Sequence, residues 1–371
     1  MAARISPAER VALGQSRRKQ LRRQDHAKCK LPPSRPSPIE TVARSMHGRI
    51  PSLVTLKYER MLASPFGFFR GAVPVMAADL AALPNTGILS QICGDAHVRN
   101  LGAYAAPDGR LIFDINDFDE TCTAPFEWDL KRMATSLVLA GRENGMKGAA
   151  CRDAVLLLAE SYRRLASKLA AMPVLELARY QVHRLQRVTP VSDALHKAER
   201  ETALSTMARF THPAEEDKTG RATRRFKQEP PVQTRLPPAQ RRAVLGRFAS
   251  SRISLLPERR HFFAQYEPID FAFRVVGTGS VGLRDFLVYF EGNGGNDPLF
   301  LQFKEEPGSA YAPYLATQGA AARVPMHQGQ HVVEGQRAMQ WQSDPLLGWT
   351  TIANRDYLVR QFHDHKASVD I

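Results

Sequence analysis

Two short acidic segments carry the residue types that phosphoryl transfer requires. In the first, Asp95 is followed five residues later by Asn100, and in the second Asp114, Asp117 and Asp119 are separated by apolar or amide residues. Phosphoryl transfer needs a carboxylate that orients or deprotonates the acceptor hydroxyl, and hard oxygen ligands for Mg²⁺. Asp95 is therefore the candidate base. Asn100 and Asp117 are the candidate Mg²⁺ ligands, with Asp114 and Asp119 as rivals for the second position.

A glycine-rich motif much later in the chain is a candidate cradle for phosphates. The motif G-T-G-S-V-G contains Gly277, Gly279, Ser280 and Gly282. A lone G-x-G-x-x-G is a weak signal, because a dinucleotide-binding fold of the Rossmann type uses the same letters between a strand and a helix. Here the next residues, 283–290, are β-branched and aromatic, which predicts a strand. We therefore expect a hairpin whose backbone N–H groups can lie over phosphates.

Lys304 is the candidate cation for those phosphates. It stands at the end of a third predicted strand, after the sequence Leu-Gln-Phe. Glu334, on the helix predicted next, is the candidate partner that would aim the lysine, and Glu305 and Glu306 are alternatives.

These motifs resemble those of kinases in several separate details. The Asp95-to-Asn100 spacing resembles a kinase catalytic loop, and Asp117-Phe resembles the start of the metal-binding segment. Small-molecule kinases commonly have H-G-D-x-H-x-x-N, whereas this chain has Cys93 at the first His. His97 and Arg70 are further catalytic candidates, since His97 can contact substrate or brace the loop and Arg70 can reach a substrate phosphate.

The order of the motifs is the reverse of that in kinases, where the glycine loop and the lysine precede the catalytic loop. The resemblance therefore implies a circularly permuted, protein-kinase-like two-lobe fold, with ATP and Mg²⁺ as its nucleotide and cofactor.

The elements around the motifs are consistent with an α+β fold. Short apolar runs at residues 88–92 and 111–113 predict strands, and apolar positions at helical spacing predict mostly helices over residues 126–210. Residues 271–276, 283–290 and 299–303 predict an antiparallel three-stranded meander. A helix is expected at 332–342 and two more strands at 349–352 and 357–362.

Charge and proline content divide the chain into four parts. Residues 1–38 form a basic arm, expected to be disordered: residues 1–36 hold ten Lys and Arg against two acidic residues, a net charge of +8 out of +14. Residues 39–210 are the expected helical lobe, 211–261 a basic, proline-bearing linker or insertion, and 262–371 the expected nucleotide-binding lobe. The arm is suited to weak contact with nucleic acid or another anionic surface.

Composition also indicates whether the protein crosses a membrane, is secreted, or contains a zinc site or disulfides. No apolar run approaches the eighteen residues of a membrane span, and the N-terminal residues lack the apolar core of a secretory signal. The four cysteines show no C-x-x-C spacing, so neither a zinc site nor a disulfide framework is expected. We expect a cytoplasmic protein.

Taken together, six sequence blocks resemble a bacterial family, the domain-of-unknown-function family 2252. They lie at residues 64–71, 93–97, 114–120, 128–132, 276–282 and 301–305. The resemblance covers about residues 40–371. It also implies that relatives continue past residues 359–366 with another helical segment, so this chain is expected to be a shortened version.

Three functional readings follow from these observations. The first is a Mg²⁺- and ATP-dependent phosphotransferase with an acceptor hydroxyl of unknown identity, or an AMP-transferring pseudokinase built on the same site. The second is a non-catalytic, kinase-like binding protein that recruits an anionic partner through its basic arm. The third is a Rossmann dehydrogenase, which would require a helix at residues 283–290.

Overall fold

The computed structural model describes residues 5–182, 189–214, 223–247, 254–318, 327–362 and 367–368. Helices dominate the first half of the chain. They are α1 (Pro7–Gln20), α2 (Pro38–Arg44), α3 (Pro51–Leu62), α4 (Pro65–Gly71), α5 (Val73–Ala82), α6 (Glu127–Glu143), α7 (Gly148–Ala170), α8 (Val174–Ala178), α9 (Thr189–Arg200) and α10 (Ala203–Phe210).

The second half holds four further described helices and most of the strands. The helices are α11 (Pro238–Gly246), α12 (Pro257–Phe263), α13 (Ala312–Leu315) and α14 (Gln328–Met339). The strands of the whole chain are β1 (Leu89–Ile92), β2 (Leu101–Ala105), β3 (Leu111–Ile115), β4 (Cys122–Pro125), β5 (Thr211–Pro213), β6 (Arg224–Phe226), β7 (Gln233–Arg235), β8 (Glu267–Arg274), β9 (Asp285–Gly292), β10 (Gly294–Glu305), β11 (Gly348–Ile352), β12 (Arg355–Gln361) and β13 (Ala367–Ser368).

Helix starts are encoded locally. A proline in the first turn stands after a serine whose hydroxyl accepts a backbone N–H at Ser6, Ser37 and Ser64. Proline has no N–H to leave unpaired there, and the serine satisfies one of the donors that a helix start exposes. The local sequence therefore defines where the short helices α2 and α4 begin.

A six-stranded antiparallel sheet forms the core of the second half, in the order β11-β12-β10-β9-β8-β7. Successive residues of a strand point to opposite faces, and both faces here are buried. Phe286, Val288 and Phe290 pack with α11 and α12 on one face. Leu287 and Tyr289 pack with Phe210 and Phe226 on the other face. Because both faces are buried, residues 286–290 of β9 are all apolar or aromatic instead of alternating with polar residues.

The predicted meander is confirmed by the pairing of β8 with β9 and of β9 with β10. The predicted helix and the two later strands correspond to α14, β11 and β12. The glycine motif connects two antiparallel strands, so the Rossmann reading was wrong: the residues that follow the motif are β9 and not a helix.

Two regions differ from expectation. The arm expected to be disordered contains α1, although this helix buries none of its residues. The expected linker is partly structured, and its strand β7 joins the large sheet through β8. Residues 215–222 and 248–253 of that linker lie outside the described residues.

Small sheets hold the two acidic segments side by side. β1 pairs with β4, and β2 pairs with β3 in a hairpin that also carries β13. The loop from β1 to β2 and the loop from β3 to β4 therefore cross the same gap, and Asn116 N donates to Asn100 O at 2.8 Å. The strand β2 was not predicted, and it is this strand that makes the two loops neighbours.

An apolar cluster joins these loops to the large sheet. It contains Cys93 and Phe118 from the loops, Val333 from α14, and Leu358 from β12. No helix in the described part of the chain combines the length and apolar content that a membrane crossing needs.

Candidate active site

One cavity of about 110 Å³ brings together residues from both halves of the chain. Its lining contains most of the residues singled out from the sequence: Arg70, Asp95, His97, Asn100, Asp117, Asp119, Gly277, Gly279, Ser280 and Lys304. Small-molecule sites usually measure roughly 300–1,000 Å³. The enclosed space is therefore about the size of a phosphate group, and a larger ligand would extend beyond it.

The loop from β1 to β2 is braced at its backbone. Asp129, near the start of α6, accepts from Cys93 N at 2.9 Å and from Gly94 N at 3.0 Å. Gly94 has a φ of +77°, and a Cβ there would lie 2.2 Å from Glu120 O. Only glycine fits this position, because it needs both the left-handed backbone and the space.

Asp95 is held by a buried arginine. Nε and Nη2 of Arg132 both lie 2.5 Å from Asp95 Oδ1, and the guanidinium stacks over the ring of Phe69 at 4.1 Å. Arg132 has no exposed side-chain surface. The second carboxylate oxygen, Oδ2, lies 3.7 Å from His97 Nε2. The carboxylate is thus fixed through Oδ1, while Oδ2 has no closer ion-pair contact than His97 among the described residues.

His97 is buried and neutral near pH 7. Burial lowers the pKa of His97 to about 4, against the opposing effect of nearby Asp95. Its ring packs edge-on against Phe66 and Phe69. These contacts favour the bracing role over direct contact with substrate.

Asn100 lies at the end of the same loop. Its Nδ2 donates to Asp95 O at 2.9 Å. Its Oδ1 accepts no hydrogen bond from any described residue, so an amide oxygen is available beside the acidic turn.

Lys304 on β10 forms ion pairs with Asp117 and Asp119. Nζ lies 3.5 Å from Asp117 Oδ1 and in close contact with Asp119 Oδ2. Burial alone would lower the pKa of Lys304, but Asp117, Asp119 and Glu306 raise it above its usual value. The lysine is therefore a buried, charged group that joins the sheet to the acidic turn.

Glu306 is a further carboxyl group in this cavity that sequence reasoning gave only as an alternative. It is 4% exposed, and burial, with Asp119 nearby, raises the pKa of Glu306 well above its usual value. Its Oε1 has no hydrogen-bond partner among the described residues.

Glu305 points elsewhere. It pairs with Arg355 at 2.6 Å and with Arg284 at 3.1 Å, so it is not the partner of Lys304.

The glycine loop lies between β8 and β9 over the same cavity. Gly277 has a φ of +50° and Gly282 a φ of +87°, conformations that favour glycine. None of the six N–H groups of residues 277–282 donates to another residue in the described ranges. Consecutive backbone N–H groups in such a turn form a concavity suited to anions.

Three predicted site residues are not part of this cavity. Glu334 is exposed and accepts from Gln330 Nε2 at 2.7 Å, so the structure does not bring it to Lys304: α14 turns this side chain to solvent. Asp114 is on β3, where its Oδ1 accepts from Ile115 N at 2.7 Å. Gly282 lies against the side chain of Arg49.

Arg70 also lines the cavity. Its side chain forms no ion pair or hydrogen bond with another described residue, and its Nε is buried without a partner. Burial lowers the pKa of Arg70, although Asp95 and Asp117 lie close enough to oppose this. A half-buried arginine without an ion-pair partner among the described residues is suited to an anionic ligand.

Sequence reasoning missed Arg132 and Lys57. Arg132 is three residues after Asp129 on α6, so a shared helix face was a usable signal. Lys57 is a lone lysine on α3, and nothing in its neighbourhood of the sequence distinguishes it from a surface residue.

Magnesium fits the donor set. Asp119 Oδ1 is buried without a hydrogen-bond partner among the described residues, and Asn100 and Asp117 line the same cavity. Mg²⁺ is usually bound by one or two carboxylates plus phosphate oxygens. In the described ranges no cluster of three His, Cys, Asp or Glu is arranged to hold a metal by itself, so phosphate oxygens would have to complete the coordination.

Comparison with known proteins gives one match. A family model described as an uncharacterized protein conserved in bacteria (DUF2252) matches residues 49–371. No curated protein and no solved structure matches the chain.

Proposed function

Because the chain belongs to the DUF2252 family, whose members are described as uncharacterized, we propose a function from its site: a Mg²⁺- and ATP-dependent phosphotransferase that acts on a hydroxyl acceptor. The observation that carries this proposal is the single cavity lined by Asp95, Asn100, Asp117, Lys304 and the glycine loop. These groups are the base, the metal ligands, the cation and the phosphate cradle that phosphoryl transfer requires.

The order of elements in the second half supports a kinase-like nucleotide lobe. The glycine loop connects the first two strands of the meander, the lysine lies on the third strand, and a helix follows before two further strands. Kinases have the glycine loop, the lysine strand and a helix in the same order. Since the loop with Asp95 comes earlier in the chain, we interpret the arrangement as a circular permutation of a kinase-like fold.

The chemistry follows from the positions of the side chains. The acceptor hydroxyl transfers its proton to Asp95 Oδ2 as its oxygen bonds to the γ-phosphorus. The bond from the γ-phosphorus to the bridging oxygen breaks, and ADP leaves. Asn100, Asp117 and Asp119 would hold Mg²⁺, which when bound neutralises charge on the phosphate oxygens.

Cations of the chain complete the site. Lys304 extends from β10 to the acidic turn. There it would interact both with the carboxylates of Asp117 and Asp119 and with the phosphates of the nucleotide. Arg70 is placed to stabilise the charge on the transferred group, because it has no other ion-pair partner among the described residues.

Nucleotide binding and turnover by the full chain test this function. Calorimetry with Mg·ATP is expected to detect binding that Lys304→Met weakens about 100-fold, the order expected for loss of a hydrogen bond between charged groups. Asp95→Asn is expected to lower ATP turnover about 10²–10⁴-fold while leaving affinity nearly unchanged. The exposed-residue variants Lys147→Met and Asp153→Asn serve as matched controls.

The proposal fails if the wild-type chain binds no nucleotide, or if both site variants behave like their controls. Parallel reactions with γ-labelled and α-labelled ATP distinguish phosphoryl transfer from AMP transfer, because only AMP transfer leaves the α-label on a product other than free nucleotide.

A further inference from the structure

Lys57 is a buried lysine whose partners are carbonyl groups. It lies on α3 with 1% of its surface exposed, and its Nζ donates to Thr278 O at 3.1 Å and to Gly279 O at 2.8 Å. It forms no ion pair with any described carboxylate. Burial lowers the pKa of Lys57 to about 7, and nearby Arg49 adds to this effect. Burying an amine without a counter-charge costs free energy, so the contact needs an explanation beyond packing.

Neighbouring residues make the same kind of contact. Arg60 Nη1 donates to Gly277 O at 2.6 Å, and Arg49 Nη1 donates to Val281 O at 2.6 Å. The backbone of Ile50 donates to Gly282 O at 2.7 Å. Three cations and one amide from residues 49–60 therefore bind carbonyl groups of one loop.

The loop uses its carbonyl groups and its N–H groups in opposite ways. Five of its carbonyl groups accept the hydrogen bonds just described. The sixth, Ser280 O, accepts from Leu283 N at 2.9 Å. Every carbonyl of residues 277–282 therefore has a hydrogen-bond partner. Its N–H groups, by contrast, find no acceptor among the described residues. In a trans peptide group the C=O and the N–H of the following residue lie in one plane and point in opposite directions across the C–N bond, so a peptide whose oxygen is held on one side points that N–H to the other.

We propose that Lys57, with Arg49 and Arg60, positions the glycine loop by holding its carbonyl oxygens away from the cavity, which leaves its N–H groups for the phosphates of a nucleotide. This inference rests on the proposed function for the identity of the ligand. Lys57 is a positioning residue in this scheme, because it contacts the loop and not the phosphates. Lys57, Arg49 and Arg60 together are called the clamp. They belong to the helical half of the chain, so the clamp also joins the glycine loop to the half that carries Asp95.

A purely structural role would give a different result from positioning. If Lys57 only fills space beneath the loop, an apolar residue of similar length should leave the loop and its ligand affinity intact. If Lys57 positions the loop, its loss frees the carbonyl groups of Thr278 and Gly279 and lets the peptides rotate.

Two measurements on the full chain test the clamp. Amide hydrogen exchange without nucleotide is expected to speed up in Lys57→Met at Ile50 and Leu283, whose N–H groups donate to carbonyl groups of the loop, and to stay unchanged in Lys147→Met. Calorimetry is expected to show that Lys57→Met binds Mg·ATP and inorganic tripolyphosphate about tenfold more weakly than the wild-type chain, the order of one or two lost hydrogen bonds. KM for ATP is expected to rise more than kcat falls, and Lys57→Arg is expected to restore part of the affinity.

Arg60→Met keeps the test valid if Lys57→Met does not fold, because Arg60 is at the exposed edge of the clamp. It is expected to change exchange and affinity in the same direction by about twofold to fivefold. Unchanged exchange and affinity in the folded variants would overturn the clamp. If the wild-type chain binds neither probe while Lys57→Met still loosens the loop, the proposed function fails, and so does the phosphate-positioning part of this inference, while the anchoring itself stands.

Discussion

Asp95 and Arg132 form a pair in which the buried partner is the cation. The carboxylate keeps 19% of its side-chain surface exposed, whereas the guanidinium has none. Removing one partner of a buried pair leaves an uncompensated charge, which usually costs about 3–5 kcal/mol. Asp95 therefore has a structural role, which is to neutralise Arg132, and its effect on stability can be measured apart from its proposed role in catalysis.

We expect Asp95→Ala to lower the free energy of unfolding by about 3–5 kcal/mol, because Arg132 is left buried without a counter-charge. Adding Arg132→Met is expected to recover part of that loss, so the two effects should be strongly non-additive. Urea unfolding of the four members of the cycle measures this.

The exposed pair Asp108–Arg110 provides the control, with side chains 40% and 48% exposed. Asp108→Ala is expected to have little effect on stability, since exposed pairs contribute little. Equal losses for Asp95→Ala and Asp108→Ala would contradict the account of a buried cation.

At the scale of elements, the loop from β1 to β2 depends on one glycine. Gly94→Ala must place a Cβ 2.2 Å from Glu120 O at a φ of +77°, so both steric overlap and backbone strain oppose it. Gly109 has a φ of +80°, but nothing lies within 4 Å of its Cβ position.

Gly94→Ala is therefore expected to lower the melting temperature much more than Gly109→Ala, whose cost is backbone strain of about 1 kcal/mol. Thermal unfolding followed by circular dichroism makes the comparison. Similar melting temperatures for the two variants would mean that the loop moves away from Glu120 at little cost.

Elements with local signals were predictable from the sequence. The three-stranded meander was, because β-branched and aromatic runs alternate with glycine turns at residues 277–282 and 292–295. The strand β2 was missed since its sequence, Leu-Gly-Ala-Tyr-Ala, has weak strand preference and is held by pairing with β3 and β13. The pairing energy that decides β2 comes from residues far away in the chain, which periodicity does not report.

The candidate site divides in the same way. Asp95, Asn100, Asp117 and Lys304, which line one cavity, could be singled out because each belongs to a motif with its own spacing. The proposed partner of Lys304 was misplaced, because it depends on which face α14 turns to the sheet. That face is set by packing of Val332 and Val333 against the acidic loops, and the sequence leaves this choice open.

At the scale of the molecule, the basic arm begins with an exposed helix. α1 buries no residue, whereas Arg35, further along the arm, pairs with Asp79 at 2.5 Å. The first twenty-one residues hold five of the Lys and Arg residues and one Glu. Their charge is available for screened contact with a polyanion.

Deleting residues 1–21 is expected to leave the unfolding midpoint nearly unchanged, since no buried surface of α1 is lost. Binding to a single-stranded DNA oligonucleotide at low salt is expected to weaken, with a shallower dependence on salt concentration, because fewer cations meet the phosphates. Fluorescence anisotropy at several salt concentrations measures this. Identical salt dependence in both chains would place any anion contact elsewhere, for example on the basic stretch near Arg241.

The ion pair between Lys304 and Asp117 joins residues 187 positions apart, and this separation has a consequence for synthesis. At about 5–20 residues per second, the ribosome needs roughly 10–40 s to make the lysine after the aspartate. During that interval the acidic turn has emerged without its cation, and the two carboxylates repel each other. Until β10 is made, the carboxylates of this turn must therefore stay solvated or pair with a cation from solution.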